Sequence, residues 1–405
     1  MRKLITTNLV RIGKGLSIAD LRALAISEPE LFVQKIQQGA DDGHIRLDKL
    51  KDLASLYRGL ADIEVPVMAD VNGILRSITT SAFPVLTGTA TIAQVNEAYQ
   101  AVETIGQDLV TEFDDSKKVT TIAQVNALDN KVDEIKEKGD FPEIGVDEEK
   151  VEIRHRKNGR KITFSVESIL ENQLADIVQR SNALGEFAAD AIEVLTLKRV
   201  TDYDGSKASP AEPYVYRPNG TGTALFSASA NTPGTRAPSG TRINSNTLVD
   251  YTDLDNARVR MATMKNQSGT RITVPRSLIQ ILVPDALLGT ISKVLNSEYV
   301  PGVENELSNW GPRGRFNIPP ERLLSSPKLD DLSAATWYYG AFKKQFKRKW
   351  KMRFEYVTLG TDTQAYLNSQ IAFQARLAWD CEVGATDYIF VVQNLSGTTA
   401  PADGG

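Results

Sequence analysis

Cysteine and histidine are almost absent from this chain of 405 residues, which contains one Cys and two His. The single cysteine, Cys381, cannot form an internal disulfide, and the count excludes zinc sites built from two or more cysteines. A histidine-rich metal site is excluded as well, and a Ser-His-Asp triad would have to use His44 or His155. Both histidines have polar neighbours in the sequence, and we interpret each as a surface residue. We therefore expect no metal and no cofactor.

Long apolar runs are missing too. No stretch approaches the roughly 18 apolar residues that a spanning helix needs, and the N-terminal MRKLITTNLVRIGKGLSIADLRALA lacks the continuous apolar core of a signal peptide. A content of 41% hydrophobic and 24% charged residues is typical of folded soluble proteins, and the length allows two or three cores. These features predict a protein of a cytoplasm-like compartment without a membrane partner.

Motifs for phosphate binding and nucleophilic catalysis are incomplete. The stretches GKGLSI at Gly13 and GTGTAL at Gly220 each supply two glycines of a dinucleotide fingerprint but not the third. The sequence has no Walker loop, no G-x-S-x-G and no H-E-x-x-H. Its 51 acidic residues show no spacing that singles out an acid–base pair. An enzyme is thus the less favoured class, and a soluble hydrolase without a recognisable motif stays open as an alternative.

Apolar periodicity predicts several elements in the first half of the chain. Short amphipathic helices fill the first 64 residues. The hexapeptide TIAQVN starts at Thr91 and again at Thr121, and we interpret both copies as helix starts. In KVEIRHRKNGRKITFSV the pair Asn158-Gly159 separates two alternating runs, which predicts a hairpin that turns there. The apolar positions from Ile169 to Leu195 then follow one stripe of a single long helix.

The second half predicts a loop, an α/β unit and closing strands. Residues 201–247 are rich in Gly, Pro, Ser, Thr and Asn, which indicates a long loop. Helices are predicted at DYTDLDNARVRMATMKNQ and PDALLGTISKVLNSEY, around a strand at RSLIQILV. The stretches ERLLSS, TWYYGAF and LNSQIAFQARLAWDCEVGATDYIFVVQ are predicted as mainly strand.

Charge is distributed unevenly along the chain. Residues 101–150 carry fourteen acidic and six basic residues, a net of −8, whereas residues 311–360 carry eleven basic and four acidic residues, a net of +7. The densest basic stretch is KKQFKRKWKMRF, from Lys343 to Phe354. With the period of a strand, its aromatic residues share one face and its lysines the other.

We hypothesise that the basic stretch of one subunit meets the acidic segment of another, because charge complementarity would set the register of such a contact. The alternative is a strand that touches DNA phosphates without reading sequence. The candidate contact residues are Lys343, Lys344, Lys347, Lys349, Lys351, Arg353, Asp114, Asp115, Asp147, Glu148 and Glu149.

The order of these elements resembles the major capsid proteins of tailed bacteriophages with the Hong Kong 97-type fold. The likeness lies in AYQAVETIGQDLVTEFDDSKK, FPEIGVDEEKVEIRHRKNGRKITFSVESILENQ, GTALFSAS ahead of LDNARVRMATMKNQSG, LIQILVPDALLGTISKVLNSE and AFQARLAWDCEVGATDYIFVV. It implies an α+β fold with an N-terminal arm, an extended loop hairpin, a long spine helix, and peripheral and axial domains. The implied bounds are 1–64 for an N-terminal helical extension, 65–112 for the arm, 113–165 for the extended loop, 166–204 for the peripheral domain with the spine helix, 205–355 for the axial domain, 356–395 for closing strands of the peripheral domain and 396–405 for a flexible tail.

The resemblance also implies a function without enzymatic activity. It implies a structural protein that self-assembles as hexamers and pentamers into an icosahedral head around double-stranded DNA, within the virion and after assembly in the host cytoplasm. The implied partners are other copies of the chain, portal and scaffolding proteins, a cement or decoration protein, and packaged DNA bound without sequence specificity. An encapsulin-like nanocompartment shell is the alternative within the same fold.

Overall fold

The computed structural model describes residues 95–127, 146–165, 174–203, 225–228, 236–266, 268–296, 318–359 and 368–396. Within these ranges, the side chains of 123–127, 146–150, 174–178, Asn296, Thr358 and Ala372 are not described. The predicted helical extension 1–64, most of the arm 65–112, most of the loop 201–247 and most of the tail 396–405 lie outside the described residues.

Seven helices and eleven strands make up the described part of the chain. The helices are α1 (95–101), α2 (Gly106–Leu109), α3 (Leu174–Thr201), α4 (Tyr251–Ala262), α5 (Asp285–Asn296), α6 (Pro327–Ser333) and α7 (Phe342–Gln345). The strands are β1 (Thr111–Asp114), β2 (Val119–Ala127), β3 (Val146–Arg154), β4 (Arg156–Ser165), β5 (Arg242–Ile243), β6 (Gln280–Pro284), β7 (Leu323–Ser326), β8 (Trp337–Gly340), β9 (Phe346–Leu359), β10 (Ile371–Ala385) and β11 (Val391–Asn394). None of the described helices is long and apolar enough to cross a membrane. The mixture confirms the predicted α+β class.

The chain divides into two compact units, and several elements contribute to both. The described part of the first unit comes from 95–103, Lys157–Ala191 and Phe354–Trp379. The second unit comprises Thr104–Arg156, Ile192–Arg353 and the chain from Asp380 onward. The division falls within β4, α3, β9 and β10.

The second unit is built around a five-stranded sheet with the order β5-β11-β8-β6-β7. Strand β8 is antiparallel to both β11 and β6, whereas β7 is parallel to β6 and β5 is parallel to β11. All four residues of β8, Trp337–Gly340, are buried, as expected of a central strand covered on both faces. The apolar core around this sheet includes Leu282, Phe342, Val383 and Tyr388.

Helices α4 and α5 flank the five-stranded sheet, and both confirm sequence predictions. Helix α4 begins at a capping box in which the Asp250 side chain accepts a hydrogen bond from Thr252 N and the Asp253 side chain accepts one from Asp250 N. Its residues Leu254, Ala257 and Met261 are buried, at the spacing of one helical face. Helix α5 follows β6 directly, as the apolar run before Asp285 predicted.

The core of the first unit lies between β4, β9 and β10. The rings of Phe164 and Phe373 stack with centroids 5.9 Å apart, and Ile162 and Tyr356 pack against them. On α3 of the same unit, Leu184 is buried, as the helical stripe predicted. Phe187 was placed on the same stripe but is 53% exposed, and the Arg160 guanidinium lies 5.0 Å from its ring centroid.

A two-stranded ribbon replaces the hairpin that the sequence predicted at Asn158-Gly159. Strands β2 and β3 pair antiparallel over nine register pairs, from Val119↔Arg154 to Ala127↔Val146. The pair Asn158-Gly159 lies inside β4, which is the edge strand beside β10 in the sheet β1-β9-β10-β4. The predicted turn is therefore wrong, and a hairpin-like ribbon forms from strands further upstream. The prediction of a helix start at Thr121, in the second TIAQVN copy, is also wrong, because these residues lie in strand β2.

Close packing explains the glycine within β4. A Cβ atom added at Gly159 would lie 2.6 Å from the Leu377 carbonyl oxygen and 3.0 Å from Ala378 Cα. Both contacts are with the backbone of β10, so a side chain at this position forces the two strands apart. Gly159 is thus explained by the approach of β10 and not by a turn.

We expect Gly159→Ala to lower the free energy of unfolding by about 1–3 kcal/mol, because adding atoms to a closely packed interior usually has an effect of this size. The matched control is Gly289→Ala in α5, where an added Cβ meets nothing within 4 Å. That control should stabilise the chain by up to about 1 kcal/mol, because alanine favours helix. Urea unfolding of both variants measures the difference, and equal effects would contradict the packing argument.

Candidate subunit interface

The predicted basic stretch forms α7 and the first half of β9, and an acidic strand runs beside it. Strand β1 is parallel to β9, with Glu112 opposite Arg348 and Asp114 opposite Trp350. The acidic segment and the basic stretch therefore meet within a single chain.

Arg348 is the central cation of this contact. Its guanidinium donates to Glu112 Oε1 at 2.7 Å through Nη1 and to Thr196 Oγ1 at 2.5 Å through Nη2. Only 3% of the Arg348 side chain is exposed. Nearby, Glu193 of α3 accepts hydrogen bonds from the backbone N–H groups of Ile105 and Gly106, at 3.0 and 2.9 Å. These bonds fix the start of α2 and the strand that follows it.

Two further cations of the stretch form exposed pairs. Arg353 Nε donates to Asp114 Oδ1 at 3.2 Å, and its Nη1 lies 3.6 Å from Glu112 Oε2. Lys343 Nζ lies 3.5 Å from Asp108 Oδ1. Since the side chains of Arg353, Asp114, Lys343 and Asp108 are all at least half exposed, each of these two pairs contributes less than about 1 kcal/mol.

Lys349, predicted on the lysine face as a candidate contact residue, is buried. Its side chain has no exposed surface, its Nζ donates to the Lys117 carbonyl, and the same atom lies 3.9 Å from Asp115 Oδ2. Burial lowers the pKa of the Lys349 ammonium, and Asp115 and Asp380 offset part of that effect. Hydrogen bonds from the Thr120 hydroxyl and Lys117 N lower the pKa of the Asp115 carboxyl.

The predicted division of the basic stretch into two faces holds only beyond Trp350. From Phe346 to Trp350 both faces are largely covered, because Arg348 and Lys349 are buried together with the aromatic residues. From Lys351 onward, exposed Lys351 and Arg353 alternate with half-buried Met352 and Phe354.

The remaining candidate contact residues fall into two groups. Lys344 is exposed, with its Nζ 5.4 Å from the Phe390 ring centroid, Lys351 is exposed and Lys347 is half-buried. Asp147, Glu148 and Glu149 lie in β3, opposite Asn126, Val125 and Gln124, and their side chains lie outside the described part of the structure.

Sequence reasoning missed a set of buried charges on β10 and the loop after it. His155, predicted as a surface residue, has 6% of its side chain exposed, and its Nδ1 lies 2.6 Å from Asp380 Oδ1. Arg199 Nε donates to Glu382 Oε1 at 3.0 Å, again with both side chains buried. A signal was present: Asp380 and Glu382 are acidic residues within the apolar run AFQARLAWDCEVGA, where a charge requires a buried partner.

Glu382 makes stability depend on pH in an unusual direction. Burial raises the pKa of the Glu382 carboxyl above its ordinary value of 4.5, although Arg199 opposes the shift. The folded chain therefore holds this proton more tightly than the unfolded chain. The stabilisation due to protonation is present below pH 4.5 and is lost as the pH rises through the folded pKa.

We expect the difference in unfolding free energy between wild type and Glu382→Gln to change with pH in that window. Glutamine does not titrate, so the wild type should lose stability relative to the variant as the pH rises from 4.5 through the folded pKa. Urea unfolding of both proteins at several pH values measures this. A difference that stays constant with pH, or that grows in favour of the wild type, would contradict the buried carboxyl argument.

Comparison with known proteins identifies the family of this chain. The family model described as phage capsid protein matches residues 148–394, from within β3 to the end of β11. The chain belongs to the phage capsid protein family. The predicted resemblance to tailed-phage major capsid proteins is thereby confirmed, and with it the Hong Kong 97-type α+β fold and a structural role in an icosahedral capsid. No curated protein matches the chain.

Solved structures similar to this phage capsid protein are distant in sequence. The capsid of Ralstonia phage GP4 is 10% identical, with 73% of this chain and 88% of that chain covered and a TM-score of 0.45. The mature capsid of bacteriophage PhiM1 is 12% identical, with 73% and 87% covered and a TM-score of 0.43. A virus-like particle from Pyrococcus furiosus is 8% identical, with 75% and 96% covered and a TM-score of 0.39.

Proposed function

We propose that this capsid protein forms hexamers and pentamers that close an icosahedral head around double-stranded DNA. The match of the phage capsid family model over residues 148–394 is the observation that supports this proposal most directly. Shell subunits associate through extended surfaces that bury apolar area and pair charge, so quasi-equivalent copies of one chain can close a shell. The role is structural and not enzymatic.

The proposal assigns the parts of the chain to the parts of such a subunit. The extended loop, 113–165, contains the ribbon β2–β3, whose strands pair only with each other in the described part of the chain. We assign this ribbon to contact with a neighbouring subunit. The spine helix of the peripheral domain, 166–204, contains α3. Residues 205–355 form the axial domain, and 356–395 return to the peripheral domain.

The proposed partners follow from the same role. They are a portal protein, a scaffolding protein, a cement or decoration protein, and packaged DNA held without sequence specificity. The proposed location is the virion, after assembly in the host cytoplasm. The segments 1–64 and 65–112, an N-terminal extension and arm, are proposed to take part in assembly.

The inter-subunit contact is proposed to use the exposed cations of the basic stretch and a neighbour's acidic ribbon. Lys343, Arg353, Asp114, Asp115 and Lys349 already have partners within the chain. Lys344, Lys347 and Lys351 are the cations left for the neighbour, together with Asp147, Glu148 and Glu149 of its β3. The net charge of −8 in residues 101–150 supports this assignment.

Charge reversal of two of these cations tests the contact. We expect Lys347→Glu with Lys351→Glu to leave the subunit folded and to reduce the yield of closed shells, because two repulsive charges would face the acidic ribbon. Lys293→Glu, at an exposed position on α5, is the matched control and should assemble normally. Normal empty shells that fail to package DNA would contradict the subunit contact and favour contact with DNA phosphates.

A further inference from the structure

The ribbon β2–β3 is joined to the four-stranded sheet by two very short passages. The incoming passage consists of residues 115–118, between β1 and β2. The outgoing passage is the single residue His155, between β3 and β4. The ribbon has no other strand partner in the described part of the chain, so these passages set the direction in which it leaves the sheet.

The incoming passage is held by a buried amine and a capped turn. Asp115 N donates to the Trp350 carbonyl at 2.8 Å, and the Asp115 carboxylate accepts from Lys117 N at 3.0 Å and from the Thr120 hydroxyl. Lys349, one position before Trp350 on β9, reaches across with its Nζ to the Lys117 carbonyl. The turn is thereby fixed both by its own side chain and by the neighbouring strand.

The outgoing passage is held by a buried imidazole and carboxylate. His155 Nδ1 lies 2.6 Å from Asp380 Oδ1, and the two side chains are 6% and 7% exposed. Asp380 lies on β10, which is the neighbour of β9 in the sheet. The two anchors therefore lie on adjacent strands of the same sheet.

Burying these polar groups at the base of the ribbon is unfavourable in free energy. A buried lysine has to lose its hydration, and an apolar side chain of similar length would avoid that loss. Buried polar groups can nevertheless specify one arrangement among several, because separating such a group from its buried partner is costly. The two anchors are suited to fixing an orientation, and less to adding stability.

We propose that Lys349 and the His155–Asp380 pair are positioning residues, which set the direction of the ribbon β2–β3 and so where it meets a neighbouring subunit. This inference rests on the proposed function, in which the ribbon contacts another copy. It gives Lys349 a role inside its own subunit, and not in the charge contact between subunits.

The test compares two variants at the base of the ribbon β2–β3, called the root variants, with a matched control, all in the full chain. Lys349→Met removes the amine but keeps the length of the side chain, and His155→Gln removes the imidazole. Lys293→Met makes the same change as the first variant at an exposed position on α5, away from the ribbon and the basic stretch. Three quantities are measured: the unfolding temperature of the unassembled subunit, amide hydrogen exchange over residues 115–122 and 151–155, and the share of closed, uniform shells by electron microscopy.

We expect Lys349→Met to exchange these amides roughly fivefold faster, the factor that corresponds to loss of the one hydrogen bond from Lys349 Nζ to the Lys117 carbonyl. We expect His155→Gln to exchange them faster as well, because the contact between the imidazole and Asp380 is lost. We expect the share of uniform shells in both root variants to fall by a similar factor, with open or irregular particles in their place, while the unfolding temperature stays near that of the wild type. Lys293→Met should match the wild type in all three measurements.

Wild-type exchange and uniform shells in both root variants would overturn the inference, and so would the same defects in Lys293→Met. If one root variant does not fold, the other carries the test. Failure of both to fold would also overturn the inference, because the anchors would then act through stability. If the wild type forms no shells, the proposed function fails, and the amide exchange result still tests the anchoring of the ribbon.

Discussion

Replacing Asp387 by alanine is expected to destabilise the chain by about 3–5 kcal/mol, because the change removes a buried carboxylate that pairs with a buried guanidinium. Arg236 Nη2 donates to Asp387 Oδ2 at 2.8 Å, and the side chains are 4% and 1% exposed. Asp387 Oδ1 also accepts from Tyr388 N at 2.7 Å, and the Arg236 guanidinium lies 5.4 Å from the Tyr388 ring centroid. One carboxylate thus joins the segment at 236 to the turn before β11.

An exposed pair provides the control for this substitution. Arg258 and Asp255 lie 2.7 Å apart on α4, with 27% and 36% of their side chains exposed. Asp255→Ala should change the unfolding free energy by less than about 1 kcal/mol. Urea unfolding of the two alanine variants under identical conditions measures the contrast. If Asp387→Ala and Asp255→Ala lowered the free energy of unfolding equally, the buried pair would contribute no more to stability than the pair on α4.

Replacing Trp337 by alanine is the second large effect, with an expected loss of about 3–5 kcal/mol. The Trp337 side chain is fully buried in β8, at the centre of the five-stranded sheet. Its Nε1 donates to the Asn246 carbonyl at 3.0 Å, so the substitution removes both packed volume and a hydrogen bond.

Trp337→Phe separates the two contributions. Phenylalanine keeps most of the apolar volume but leaves the Asn246 carbonyl without this donor, which should destabilise the chain by about 1–3 kcal/mol. Thermal or urea unfolding of the two variants gives the order Trp337→Ala, then Trp337→Phe, then wild type, from least to most stable. Equal values for the alanine variant and the wild type would show that the sheet core is not the main source of stability.

Elements with strong local signals could be predicted from the sequence. The stretch RSLIQILV, which ends in the apolar residues of β6, and the aromatic stretch TWYYGAF at β8 contain strands, and Asp250 caps α4. These elements form where local preference and burial agree, because the same residues favour the conformation and fill the core. The long helix α3 was predictable for the same reason.

The failed predictions come from contacts between distant parts of the chain. Val95 and Asn96, the last two residues of the first TIAQVN copy, lie in α1, whereas the second copy lies in β2 because β3 pairs with it. Asn158-Gly159 has the residues of a tight turn, yet β10 approaches so closely that a glycine is required within a strand. Tertiary pairing decides both cases, and six-residue patterns contain no information about it.

The charged site shows the same limit. The sequence predicted that the acidic segment of one subunit would pair with the basic segment of another, whereas Glu112 and Asp114 lie beside Arg348 and Arg353 of the same chain. Burial of Lys349 could not be predicted from alternation alone, because it depends on the passage from Asp115 to Lys118 that covers that side of β9. Which of the remaining lysines contact a neighbouring subunit stays a prediction.

Imaging of the full-length protein tests the central claim most directly. The chain is expressed alone and with the scaffolding gene of its own genome, purified by size, and examined by electron cryomicroscopy. The proposed function predicts closed shells of uniform diameter, with pentamers at the fivefold vertices and hexamers between them. A small discrete oligomer that never forms shells, even with its scaffold, would contradict it.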